Sequence, residues 1–186
     1  MNHTRILAVD DEPLNLAIIE EYLCEEPNYT LDTAQDGECA WTALEGTAKP
    51  YDLVILDRMM PVLDGMALLS RMKADARFAD IPVIMQTAAA APEQVREGMA
   101  AGAYYYLTKP YEPETLCAVV RAAIGDRHAL RSALSRAESL ERAFQQLTEV
   151  EFRFRTLDEA SQLAQLLSDF CPSPQSIEER RVGKEC

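Results

Sequence analysis

Ile6–Val9, Leu53–Leu56 and Val83–Met85 are short runs in which every side chain is apolar. Such runs suit strands buried on both faces, because one-sided burial would leave alternate positions polar. A further run covers Tyr104–Leu107, and Tyr29–Ala34 alternates as another strand. Amphipathic stretches near 13–26, 36–48, 65–75, 92–102 and 112–125 lie between and after them. This alternation predicts an α/β fold, a doubly wound five-stranded parallel sheet wrapped by helices and complete near Gly125. Pro13, Pro92 and Pro113 each stand at a first helical turn, where a missing N–H costs little.

The chain of 186 residues has room for one full domain and an appendage. Its 18 basic and 31 acidic side chains leave a net charge of -13. That balance opposes non-specific binding to nucleic acid or to an anionic membrane surface. Cys24, Cys39, Cys117, Cys171 and Cys186 form no CxxC pair and have no histidine nearby, which is the usage of reduced thiols. No apolar run approaches membrane-spanning length, and the first residues lack the apolar core of a signal peptide. A soluble, cytoplasmic protein is expected.

The chemistry gathers at predicted strand ends. Asp57 closes the run Leu53-Val54-Ile55-Leu56, and Pro61 with Asp64-Gly65 then turns the chain into a helix near Met66. In an open parallel sheet the carboxyl ends of strands border the ligand crevice. Asp10 and Asp11 end the first strand, Thr87 the fourth and Lys109 the fifth, so all should reach the same edge. Three carboxylates in one crevice repel one another unless a cation intervenes. A hard ion such as Mg2+, which takes one or two carboxylates and several waters, answers that need. Metal, ammonium and hydroxyl around one carboxylate are what an incoming phosphoryl group requires, and a carboxylate can be the nucleophile. Singly, each residue is an ordinary strand-end acid, hydroxyl or surface lysine; together they point to a phosphoacceptor.

Residues 4–125 resemble the receiver domain of bacterial two-component response regulators. The matching pieces are Val9-Asp10-Asp11-Glu12, Asp57 with Met60-Pro61 and Asp64-Gly65, Thr87-Ala88, Gly102-Ala103, and Lys109-Pro110-Tyr111. The resemblance implies a flavodoxin-like sheet of strand order 2-1-3-4-5. It implies that Asp57 accepts phosphate from a histidine kinase. Asp11, Asp57 and the backbone carbonyl of Met59 would bind Mg2+, with Asp10 assisting through water. Thr87 and Lys109 would hold the phosphoryl oxygens, and the Lys109-Pro110 peptide would be cis. Tyr106 corresponds to the family's switch aromatic, turning inward as Thr87 moves. Met59 and Ala89 stand where the family tunes phosphoryl lifetime; neither orients a water, so slow self-dephosphorylation is expected.

Residues 126–150 contain neither Pro nor Gly and read as a helical linker continuing the last helix. Leu130, Ala133, Ala137, Leu140, Phe144 and Leu147 follow the three-four spacing of a coiled-coil seam, which suits a parallel homodimer. The alternative is a helix packed back on its own domain. His128 opens a string with a faint echo of a kinase phosphorylation box, but without its acidic residue and Pro; it reads as a surface histidine. Residues 151–177 read as the truncated start of an output domain: a strand at Glu151–Thr156, then a helix from Asp158 to Phe170, stopped by Cys171-Pro172-Ser173-Pro174. That order is similar to the opening of a histidine-kinase-like ATPase of the anti-sigma-factor type. The nine residues 178–186 match what a common short-read sequencing adapter encodes and are expected to be non-native, the alternative being a genuine basic tail.

The whole reads as a response regulator with Mg2+ as cofactor, a histidine kinase as partner, and no nucleic acid or membrane contact by the residues present. The last helix would carry the switch to the output domain. Competing readings are a transcription factor that has lost its DNA-binding domain, a phosphatase or cyclase output, and a stand-alone interaction module.

Overall fold

The computed structural model describes residues 3–24, 26, 28–88 and 91–170. Strand and helix alternate as β1 (Thr4–Val9), α1 (Pro13–Leu23), β2 (Tyr29–Ala34), α2 (Gly37–Gly46), β3 (Leu53–Asp57), α3 (Gly65–Ala74), β4 (Val83–Thr87), α4 (Pro92–Ala100), β5 (Tyr105–Thr108) and α5 (Pro113–Phe170). The five strands form one sheet in the order β2-β1-β3-β4-β5, and every pairing is parallel. This is the doubly wound architecture expected. Pro13, Pro92 and Pro113 each open a helix.

Successive side chains of a strand point to opposite faces, so the apolar runs build two cores. Leu7, Val9, Val54, Leu56, Val83 and Met85 pack against Trp41 and Leu44 of α2 and Leu68, Leu69 and Met72 of α3. Ile6, Ala8, Leu53, Ile55 and Ile84 face the other way, onto Leu16, Ile19 and Leu23 of α1 and Leu116, Val120 and Ala123 of α5. Each fully buried Leu or Ile contributes about 1.5–3 kcal/mol. This two-sided burial explains why the runs lack polar alternation.

Two features place the chain after β3. The Leu63 N–H donates to the Pro61 carbonyl at 2.8 Å, a tight turn that holds Val62 at φ 67. A β-branched residue there stores about 1–3 kcal/mol of strain. The Asp64 side chain then caps α3, accepting from the Ala67 N–H at 2.7 Å.

Two compact units divide the chain, Met1–Ser132 and Ala133–Cys186. The first runs beyond Gly125 because Arg127 is buried at 3% exposure. Its guanidinium donates to the Tyr51 carbonyl and pairs with Asp52 at 3.5 Å and Asp80 at 3.8 Å. In the second unit the described residues are helical throughout, which corrects the strand expected at Glu151–Thr156. The alternation Phe152-Arg153-Phe154-Arg155 imitates a strand, but a lone strand has no ladder partner, whereas a helix satisfies its own backbone groups. The stop at Cys171–Pro174 and the 178–186 segment lie outside the described residues.

A Cβ on Gly65 would lie 2.1 Å from the Asp57 carbonyl oxygen, whereas one on Gly125 meets nothing within 4 Å. Gly65→Ala is therefore expected to lower the unfolding free energy by about 1–3 kcal/mol through overpacking. Gly125→Ala should raise it by about 0.5–1 kcal/mol, since alanine suits a helix interior better. Urea titration followed by fluorescence of Trp41 measures both, and a Gly65→Ala variant as stable as the parent would contradict the packing.

Candidate functional site: an acidic cleft at the carboxyl edge of the sheet

The register of the sheet sets the site. Val9 pairs with Leu56, Asp57 with Gln86 and Thr87 with Thr108, so the ends of β1, β3, β4 and β5 fall side by side. Asp10, Asp11, Asp57, Thr87 and Lys109 all line one open cleft of roughly 450 Å³, together with Met59. All the residues singled out at the predicted strand ends are thus brought to one place.

Asp10 is fully buried, and its Oδ1 accepts from the Glu12 N–H at 3.0 Å and from Asn15 Nδ2 at 2.9 Å. Asp57 is 7% exposed, and its Oδ2 accepts from the Met59 N–H at 2.7 Å. Lys109 Nζ lies 2.6 Å from Asp10 Oδ2 and 2.6 Å from Asp57 Oδ1. The Lys109-Pro110 peptide is cis. Thr87 is buried at the end of β4, and Asp11 is exposed at the cleft rim.

Burial pushes the Asp57 carboxyl above the ordinary carboxylate range, and Asp10 adds to it; the bond and charge of Lys109 only partly offset this. Burial also opposes the Lys109 ammonium, but its hydrogen bonds to two carboxylates outweigh that, and its pKa lies above the usual lysine value. The two ends differ for a simple reason. The ammonium gains from two anions, while Asp57 must share one cation with Asp10.

The uncompensated acid also answers whether a divalent ion fits. Among the described residues no three His, Cys, Asp or Glu side chains are grouped so as to hold a metal. An all-protein cage is therefore not what the cleft offers. It offers a few hard oxygens beside open solvent, the donor set of an ion that keeps several waters, as Mg2+ does.

Tyr106 lies on β5, partly buried against the α2–α3 side core. Its hydroxyl accepts from Arg58 Nη1 at 3.0 Å. Sequence reasoning missed three residues here. Arg58 reads as a loop charge in the sequence; Gln86, fully buried, accepts at Oε1 from the Tyr111 hydroxyl at 2.6 Å; Asn15 orients Asp10. Only Gln86 carried a signal, a polar residue inside an apolar strand. Ala89 lies outside the described residues, and Met59 is 73% exposed at the cleft mouth.

The chain belongs to the response regulator receiver domain family, whose profile matches residues 6–121. It contains the receiver domain of a two-component response regulator, and such domains generally bind Mg2+ at their phosphorylation site. It is 36% identical over 153 residues to the DNA-binding dual master transcriptional regulator RpaA of Synechocystis sp., covering 82% of this chain and 61% of the relative. Response regulator Rre1 of the same organism is 32% identical over 142 residues, covering 76% and 61%. The chain thus spans less than two-thirds of the length of these relatives. Chemotaxis protein CheY4 of Vibrio cholerae superposes with a TM-score of 0.60 at 30% identity, over 64% of this chain and 98% of that one.

Because the folded pKa of Asp57 is raised, the native state binds more protons than the unfolded chain between the ordinary carboxylate pKa and the raised value. Stability therefore falls as pH rises through that window. Asp57→Asn removes this cost while Asp10 still pairs Lys109. The variant is expected to exceed the parent by roughly 1 kcal/mol near neutral pH. The gap should close as pH drops through the carboxylate range. Thermal melts from acid to neutral pH test it, and a gap that widens on acidification would contradict the assignment.

Proposed function

We propose that Asp57 is the phosphoacceptor of a two-component phosphorelay and that the donor is a phosphohistidine of a cognate histidine kinase. The observation that carries the reading is the Lys109 ammonium at 2.6 Å from both Asp10 and Asp57 in an open cleft. An Asp57 carboxylate oxygen attacks the phosphorus. The P–N bond of the donor breaks, and its electron pair stays on the imidazole nitrogen, which takes up a proton. Lys109 follows the growing charge onto a phosphoryl oxygen, and Thr87 offers its hydroxyl to another. Asp11, Asp57 and the Met59 carbonyl would hold a Mg2+ ion, with Asp10 assisting through water, and the ion would supply charge neutralisation for the phosphoryl oxygens.

In this reading the chain catalyses only its own phosphorylation and a slow dephosphorylation. Met59 stands exposed at the cleft mouth and orients no water, so the acyl phosphate persists for minutes or longer.

The second proposal concerns output. The ATPase reading leaned on a strand at Glu151–Thr156, and that segment is helical. A transcriptional output is favoured by the relative RpaA, a DNA-binding regulator. The seam on α5 makes a homodimer the form in which the switch is passed on. Leu130, Leu140 and Phe144 of that seam are exposed along the helix.

Incubation with a small phosphodonor and Mg2+ should label the protein with one alkali-labile phosphate, and chelation of the metal should suppress it. Asp57→Asn should take up none, and Lys109→Ala should slow uptake on the order of 10²-fold. Labelling that survives in Asp57→Asn would overturn the site, and decay within seconds would overturn the lifetime. Sedimentation equilibrium tests the seam: Leu140→Glu with Phe144→Glu should turn a dimer into a monomer, and a monomeric parent would remove the proposal.

A further inference from the structure

Arg58 follows Asp57 directly, and its main chain is held from both sides. Its N–H donates to the Gln86 carbonyl at 2.9 Å, and its carbonyl accepts from the Gly65 N–H at 3.0 Å. The side chain therefore starts from a fixed base beside the reacting carboxylate. From there it crosses to α4 and β5. Nη1 donates to the Tyr106 hydroxyl at 3.0 Å, and Nη2 pairs with Glu97 at 2.5 Å. A longer contact of 3.4 Å reaches the Gln94 carbonyl. The arginine side chain is only 12% exposed while Glu97 is 58% exposed, so the sheltered part of the arrangement is the Arg58–Tyr106 contact and the ion pair adds little.

The other half of the arrangement is a notch in α4. A Cβ on Gly98 would come within 2.6 Å of Tyr106 Cε2 and 3.0 Å of Cδ2. The missing side chain at 98 is what lets the ring lie against the helix. Gly98 itself is buried inside a helix, where glycine costs about 1 kcal/mol relative to alanine. The ring thus occupies a notch that α4 maintains at a cost, and its hydroxyl is closed off by Arg58. A planar guanidinium with several fixed donors can hold a hydroxyl and a carboxylate together, which a lysine ammonium does less well.

We propose that Arg58 is a positioning residue that latches Tyr106 into the Gly98 notch and thereby couples α4 to the phosphoryl site. The coupling to phosphoryl affinity rests on the phosphoacceptor reading of Asp57; the latch itself does not. The geometry sets the direction. Arg58 is one residue from Asp57 and lines the same cleft as Gln94, so the latched arrangement holds the Asp57 loop and α4 in one mutual position. Loss of the latch frees them, and a ligand that needs that position must then restore it at the expense of its own affinity. By linkage, binding at Asp57 tightens the latch in equal measure.

Two readouts on the full chain separate the latch from the reading beneath it. The first uses no phosphoryl ligand. The Tyr106 ring current displaces the Gly98 amide resonance, and a Tyr106→Ala control defines the undisplaced position. Arg58→Ala should move the Gly98 amide toward that control, while amides in β1 and α1 stay in place and report an intact fold. A Gly98 amide unchanged in Arg58→Ala overturns the latch.

The second readout is the affinity for beryllofluoride with Mg2+. Arg58→Ala should weaken it about 5-fold or more, Arg58→Lys should recover only part, and Tyr106→Phe should show a loss of its own. Because the two side chains act through one bond, adding Tyr106→Phe to Arg58→Ala should cost nothing further. Full additivity, or an Arg58→Ala affinity equal to the parent's, overturns the coupling. If the parent binds no beryllofluoride, the phosphoacceptor reading and the coupling both fall, and the Gly98 resonance still decides the latch.

Discussion

Two buried carboxylates sharing one ammonium hold the functional edge of this molecule together. Asp10 follows β1, Asp57 ends β3 and Lys109 follows β5, with β4 running between the last two. Lys109 reaches Asp10 across 99 residues of sequence and Asp57 across 52. The contact exists only when the five strands are in register, and the register is enforced by apolar packing on both faces of the sheet. A slip would carry the carboxylates away from their cation and turn core side chains toward the wrong face. The charge balance that remains is incomplete, since two anions meet one cation. A further positive ion beside the two carboxylates would relieve that deficit.

The chain leaving β3 is where the fold stores strain in order to present Asp57. Val62 takes a left-handed conformation, Asp64 caps α3, and Gly65 lies against the Asp57 carbonyl with no space for a side chain. These features bring the start of α3 back onto the strand end. They also fix the main chain of Arg58, whose side chain then has α4 and β5 within reach. Local backbone geometry thus becomes contact between elements that are distant in sequence.

Helix α5 has two different environments along its length. Its first turns bury Leu116, Val120 and Ala123 against the sheet, and Arg127 continues that attachment through Tyr51, Asp52 and Asp80. Burial pushes the Arg127 guanidinium below its ordinary pKa, the neighbouring Arg131 adds to this, and the two aspartates oppose it. Farther along, Leu134, Leu140 and Phe144 are exposed. Beyond Gly125 the helix continues through residues 126–170, which contain neither Pro nor Gly.

The sheet and its acidic edge were legible in the sequence because they depend on periodicity. Runs such as Leu53–Leu56 require burial on both faces, and strands of one parallel sheet must deliver their carboxyl ends to one edge, so Asp10, Asp57, Thr87 and Lys109 had to meet. The tail was misread at Glu151–Thr156 because alternation over six residues does not distinguish a strand from a solvated helix; pairing partners decide that, and they are a tertiary property. Arg58 and the notch at Gly98 were invisible for a related reason, and Gln86 showed only as a polar residue inside an apolar strand. A charged loop residue, a polar strand residue and a helical glycine acquire their roles only from what lies across the space between elements. The sequence by itself determined that Asp10, Asp11, Asp57, Thr87 and Lys109 reach the cleft. Only the tertiary structure decided that one ammonium is shared between two carboxylates and that an arginine ties the site to α4, because those are distances between groups that the chain separates by tens of residues.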